Sequence, residues 1–286
     1  MARLDDLIAE RIARIDSVPD AFYSTVGQQQ RAVMRRMQQL MAGMDTVGGN
    51  LAFNEANVAR ISEIVNELIN EDLMQGEYCT ALREYLRQFG IQGDINDAIF
   101  SEIIDNFTVN PNWRLAIQEA QRTTLQALGT NGINTAFGEP IRKQLLASVT
   151  NGMGLEEATA AIRVFIEGNE EVLGVLQRYA GQIAYDSFAF TDRSYAHLVA
   201  EDLDVQWFRY QGGQVKDSRD FCIQRLNKIY HRTEIEQWAS LTWGGKAKGT
   251  DAATIWSYAG GYRCMHTFVP VIASEVPDDV KARINT

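Results

Sequence analysis

Apolar side chains recur at helical spacing from the first residues of the chain. Leu4, Leu7/Ile8, Ile12 and Ile15 form one stripe, and Val33, Met37, Leu40/Met41 and Met44 form another. Val58, Ile61, Ile64/Val65 and Leu68/Ile69 make a cleaner one, with acids and Asn on the opposite side. The same reading predicts helices over 76–89, 94–107, 112–128, 139–150 and 155–167. Their punctuation is Gly43, Gly48-Gly49, Gly90, Asn110-Pro111, Gly129, Pro140 and Gly168. A last and longest helix is expected over about 170–200. There Val172, Leu176, Tyr179/Ala180, Ile183, Tyr185, Phe188 and Phe190 cover a wide arc, as in a helix buried between neighbours or shared with a partner chain. Glu156/Glu157 and Glu170/Glu171 fall at predicted helix starts, where the macrodipole favours acids.

After residue 203 the pattern changes. Val205 to Tyr210 is a short aromatic run of strand character, ended by Gly212-Gly213. Asp217 suits the N-cap of a short helix carrying Phe221, Cys222 and Leu226. Thr233 and Glu236 have capping-box spacing ahead of Trp238. The Gly-rich stretch 244–261 cannot be regular throughout, and Thr267 to Ile272 reads as a strand before a polar tail. The expected fold is therefore mainly α: a multi-helix region over 1–203, a small α+β domain over 204–272, and a polar tail over 273–286.

Charge supports that boundary. Residues 1–203 carry 16 basic and 28 acidic side chains, residues 204–272 carry 9 and 6, and four of the five tryptophans lie beyond 203. With 45% hydrophobic and 22% charged residues the chain can bury a real core. The overall charge of −10 argues against general wrapping of nucleic acid. Lys216, Arg219, Arg225, Lys228, Arg232, Lys246, Lys248 and Arg263 could face phosphates, but a solvated surface or a complement to the acidic N-terminal region is the preferred reading. No run approaches the roughly 18 apolar residues of a membrane span. The acids of the first residues do not resemble an export signal, so no membrane association is expected.

Phosphate-loop order is absent around Gly244-Gly245-Lys246, as are the H-E-x-x-H and G-x-S-x-G signatures. One constellation carries chemistry. Cys264 and His266, two apart on an extended segment, point to one face and could share a zinc ion. Cys222 would be a third ligand and His231 or Asp217 a fourth. The other readings are ordinary packing of buried Cys and His, a Cys222–Cys264 disulfide, and a Cys/His nucleophile pair.

The order of motifs after 203 resembles the Mu F-like family of phage head-morphogenesis minor head proteins. The matching elements are Trp207, Asp217-Ser218-Arg219-Asp220-Phe221-Cys222, and Tyr230 with Glu234-Ile235 and Trp238. Gly260-Gly261-Tyr262-Arg263-Cys264-Met265-His266 then precedes Pro270-Val271, and the helices from about 145 to 203 fit the family's lead-in. Met265 departs from the pattern, and residues 1–140 match nothing in it. The resemblance implies a non-enzymatic virion protein made in the bacterial cytoplasm and located in the phage head interior or at the portal vertex. It would be present in multiple copies, bound to portal or major capsid subunits through the helical region. It would act in head morphogenesis, DNA packaging or ejection. Contact of the basic C-terminal domain with packaged DNA, or a toxin-like activity at Cys222 or His266, are the rival expectations.

Overall fold

The computed structural model describes residues 2–284. The chain is mainly helical, with a small α+β region near its C-terminus. The two N-terminal stripes, save Met44, belong to one helix, α1 (Ala2–Met41), which runs on through Pro19 although that residue can donate no helical hydrogen bond. Next come a two-stranded hairpin, β1 (Thr46–Val47) and β2 (Asn50–Leu51), and α2 (Glu55–Asn66), which widens into a π-helical turn over Glu67–Leu73. The hairpin turns on Gly48 and Gly49, whose φ values of 60° and 85° suit glycine. The helices expected over 76–89 and 94–107 are a single one, α3 (Glu77–Ile103). Gly90 does not break it, since tertiary packing outweighs the ~1 kcal/mol propensity loss of one helical Gly.

Then follow α4 (Trp113–Leu128), α5 (Thr130–Ile133), a second π-helical turn (Asn134–Gly138), α6 (Glu139–Thr150) and α7 (Leu155–Glu167). The long helix α8 spans Val175–Asp202. Its start is later than expected, and Glu170 and Glu171 lie exposed in the preceding loop. That loop is organised by Asn169, whose Oδ1 accepts the N–H groups of Glu171 and Val172 at 2.9 Å each.

The C-terminal region holds β3 (Trp207–Gln211), α9 (Asp220–Arg225), β4 (Ile229–His231), α10 (Arg232–Gln237), α11 (Ile255–Tyr258), β5 (Thr267–Val271) and α12 (Asp278–Ala282). The strands form an antiparallel sheet in the order β4-β3-β5. The cap positions differ from those read in the sequence. Asp217 sits exposed in a turn, and α9 starts after Arg219. His231, not Thr233, caps α10: its Nδ1 accepts from the Thr233 N–H, and Glu234 accepts the His231 N–H at 2.8 Å. The box lies two residues before the one read in the sequence because His231 also ends β4, and its extended backbone is the conformation that an N-cap needs.

The compact units do not divide at residue 203. One comprises residues up to Pro19, Arg87–Gln121 and everything from Tyr185 onward; the other comprises Asp20–Leu86 and Arg122–Ala184. In the second unit, α2, α6 and α7 pack through Ile61, Ile64, Val65, Leu145, Val149 and Ile162, all buried. Tyr78 donates to the carbonyl of Leu128, the last residue of α4, at 2.8 Å, and Tyr85 donates to the Ala184 carbonyl within α8 at 2.6 Å.

In the first unit the sheet is covered on both faces, in part by elements outside residues 204–272. Val269 packs on Ile8 of α1 and on Ile95 and Ile99 of α3. Trp207 and Val271 pack on Val276, Val280 and Ile284, so the expected polar tail closes part of the same face with its apolar side chains. Phe208, Tyr210 and Phe268 cover the opposite face against Trp238 and Trp256.

Candidate functional site

The aromatic face of the sheet carries the cluster anticipated from the cysteines. In β3, side chains alternate between faces, so Phe208 and Tyr210 share one side and Trp207 the other. Phe268 pairs with Tyr210 across the strands, and His266 lies two residues before Phe268. The His266 ring stacks parallel to the Tyr210 ring, with centroids 5.1 Å apart and 3° between the planes. Its Nδ1 lies 3.6 Å from Cys264 Sγ, and its Nε2 is buried without a protein partner. Stacking, not a hydrogen bond to Nε2, sets this ring.

Cys222, on α9, brings its sulfur to 4.0 Å from Cys264 Sγ. The donor atoms of Cys222, Cys264 and His266 all lie within 4.8 Å of one another. Tyr210 joins them, its Oη 3.4 Å from Cys222 Sγ and 3.6 Å from Cys264 Sγ. Exposure is 0% for Tyr210, 2% for Cys222, 3% for Cys264 and 4% for His266, so the cluster is closed to solvent. Both cysteines are free, which sets aside the disulfide in this structure.

The contact between the sulfurs divides them. That contact and burial push the Cys222 thiol far up. The same contact, resisted by burial and helped by His266 and the Arg193 guanidinium, holds Cys264 well below the usual thiol value. Burial drives the Tyr210 hydroxyl well above 10.

Two glycines leave room for this convergence. A Cβ added at Gly260 would meet Cys222 Sγ at 2.3 Å, Cys264 Sγ at 2.9 Å and Tyr210 Oη at 3.3 Å. One added at Gly212 would meet the His266 Cα at 2.7 Å. The loop between Tyr258 and Thr267 is bent sharply, with Ala259 and Arg263 both left-handed at φ 48° and 52°. Such residues persist only where the surroundings over-determine them.

Arg193 of α8 supplies much of that constraint. Its buried guanidinium donates to the carbonyls of Ser257, Cys264 and His266 at 2.6, 2.8 and 3.1 Å. Trp243 Nε1 holds the Gly260 carbonyl at 2.8 Å while its ring stacks on Phe221, and Arg219 Nη2 donates to the Tyr262 carbonyl at 2.6 Å.

The fourth ligands expected from sequence are not at this site. His231 pairs with Trp207 and packs its ring edge on that residue, on the face away from Tyr210. Asp217 is exposed on its turn. Tyr210, Arg193, Gly212 and Gly260 are the residues that sequence reasoning did not assign. For Tyr210, the available signal was its alternation with Phe208 on a strand flanked by the Cys and His motifs.

Several of the basic side chains are committed internally. Arg225 lies over Phe221 and Trp238, Arg232 pairs with Glu201, Arg263 lies over Tyr185, and Lys246 donates to the Ala239 and Leu241 carbonyls. Lys216, Lys228 and Lys248 are exposed. No helix among the described residues is long and apolar enough to cross a membrane. No protein-family model, curated protein or solved structure matches the chain.

Proposed function

We propose that this chain is a structural component of a tailed-phage particle, a minor head or portal-associated protein acting in head assembly, DNA packaging or ejection. The observation that supports this reading is that several residues carrying the Mu F-like resemblance, among them Arg219, Phe221, Cys222, Trp238, Tyr262 and Cys264, meet in one place. Arg219 bonds the Tyr262 carbonyl, Cys222 touches Cys264, and Trp238 packs edge-on against Phe221, Tyr210 and Tyr230. Motif members that build one closed core form a folding module. Such a module would be retained for its shape, and buried thiols within it serve packing or ligation before they serve chemistry on a substrate. The helical segments would then dock on portal or capsid subunits. Protein partners rank ahead of DNA because Arg219, Arg225, Arg232, Lys246 and Arg263 are occupied within the fold.

Quantitative mass spectrometry of purified, DNA-filled particles of the encoding phage tests the proposal. A fixed ratio of this chain to portal, kept after removal of loosely bound protein, is the expected result. Absence from particles together with failure to bind isolated portal or capsid protein would overturn it.

A further inference from the structure

Four of the six edges among the donors on the aromatic face of the sheet have about the lengths that a tetrahedral ion requires, and the Cys222–His266 edge is within 4.8 Å. Zinc bonded at about 2.3 Å to sulfur and about 2.0–2.1 Å to nitrogen or oxygen has S···S edges of about 3.8 Å and S···N or S···O edges of about 3.5 Å. The Cys222–Cys264 edge is 4.0 Å and the Cys264–His266 Nδ1 edge 3.6 Å. Tyr210 Oη closes two more edges, at 3.4 and 3.6 Å from the sulfurs. We propose that Cys222, Cys264, His266 and Tyr210 bind one zinc ion as a closed structural site, with the Tyr210 oxygen as the fourth ligand.

Three further observations point the same way. First, the space beside the donors is kept clear: a Cβ at Gly260 would intrude on three of the four donor atoms at once. Second, all four donors are at most 4% exposed, as in structural sites that leave no position for substrate. Third, the site's charge is balanced. Two thiolates, a phenolate and Zn²⁺ sum to one negative charge, and the buried Arg193 guanidinium donates to the carbonyls of both Cys264 and His266. Binding would release to solvent whichever protons the two thiols and the phenol still carry. Two soft sulfurs with an imidazole favour zinc over the hard cations magnesium and calcium. This assignment stands whether or not the chain proves to be a virion protein.

The test uses the full chain, purified under reducing conditions, stripped with a chelator and reloaded with zinc or cobalt alone. The expected result is one zinc per chain by elemental analysis and a higher melting temperature than the stripped protein. With cobalt, the expected spectrum has intense four-coordinate ligand-field bands and a thiolate charge-transfer band. Failure to retain zinc, an unchanged melting temperature, or the weak bands of six-coordinate cobalt would overturn the site. Cys222→Ser should lose zinc, but that variant could also misfold. The wild-type measurements therefore decide the site without it. Tyr210→Phe keeps the packing on the sheet and isolates the fourth ligand. It should weaken zinc in competition with a chromophoric chelator by at least about 10-fold, the lower end for losing even an outer-shell partner, and shift the cobalt ligand-field bands. Unchanged affinity and spectrum in Tyr210→Phe would overturn the tyrosine assignment.

Discussion

Arg11 and Asp192, separated by 181 positions in the sequence, form an ion pair from which solvent is wholly excluded, each side chain being 0% exposed. The guanidinium grips the carboxylate at two points, Nε to Oδ1 and Nη2 to Oδ2, each at 2.9 Å. Its remaining donors reach the Phe268 carbonyl at 3.0 Å and Thr267 Oγ1 at 2.6 Å. Asp192 also accepts from Gln92, Asn96 and Thr267, so α1, α3, α8 and β5 meet at one buried polar centre. Burial opposes ionisation of Asp192, yet Arg11 and the two amides outweigh it and hold the carboxyl below its ordinary value.

Breaking this pair on one side leaves a buried, uncompensated charge. Asp192→Asn should therefore lower unfolding free energy by about 3–5 kcal/mol, whereas replacing both partners by apolar residues should cost less than the sum of the single changes. Chemical denaturation of the two singles and the double checks this. Additive losses would mean that the two residues act separately.

Gly260→Ala should be costly for a steric reason. Its new methyl would overlap two buried sulfurs, and overpacking of this kind costs about 1–3 kcal/mol. Gly213→Ala, a change with no atom within 4 Å of the added carbon, should stay within about 0.5 kcal/mol of wild type. Equal melting temperatures for the two variants would remove Gly260 from the account of how the sulfurs meet.

His197 makes stability depend on pH. Its ring stacks on Trp256 at 4.5 Å and 6°, with Nδ1 buried and lacking a protein partner. Burial pushes its pKa down to about 4, against the pull of Glu201 and with the help of Arg232. Between an unfolded value of about 6.5 and the folded value, the unfolded chain binds a proton that the folded one refuses. The contribution of His197 is thus full above about pH 6.5, falls as pH drops toward about 4, and changes no further below that. His197→Phe keeps the stacking and should flatten this part of the stability–pH curve; parallel curves for variant and wild type would refute the assignment.

Helical periodicity was legible wherever the apolar stripe was regular, and α4, α6 and α7 fall within a residue of where spacing places them. Gly90 misled because a breaker's local cost is small beside the burial of Phe89 and its neighbours on α3. In the cluster, the pairing of Cys264 with His266 was readable from two-residue alternation, whereas Cys222 as a third ligand has no geometric reason in the sequence. His231 was misassigned because its direction depends on the β3–β4 register, which sets it beside Trp207. Tyr210 reads in sequence as one more aromatic of a buried strand.

The sequence by itself determined the helical class, the change of character after residue 203, and the pairing of Cys264 with His266. These are local or compositional properties, carried by side-chain spacing along a few turns or one strand. Only the tertiary structure decided that the sheet takes cover from α1, α3 and the C-terminal tail, that Arg11 finds Asp192, that Arg193 holds the loop bearing Cys264 and His266, and that the Tyr210 hydroxyl meets both sulfurs. A charged or aromatic side chain becomes a buried partner only when distant backbone brings the matching group within hydrogen-bonding reach, and no periodicity encodes that meeting.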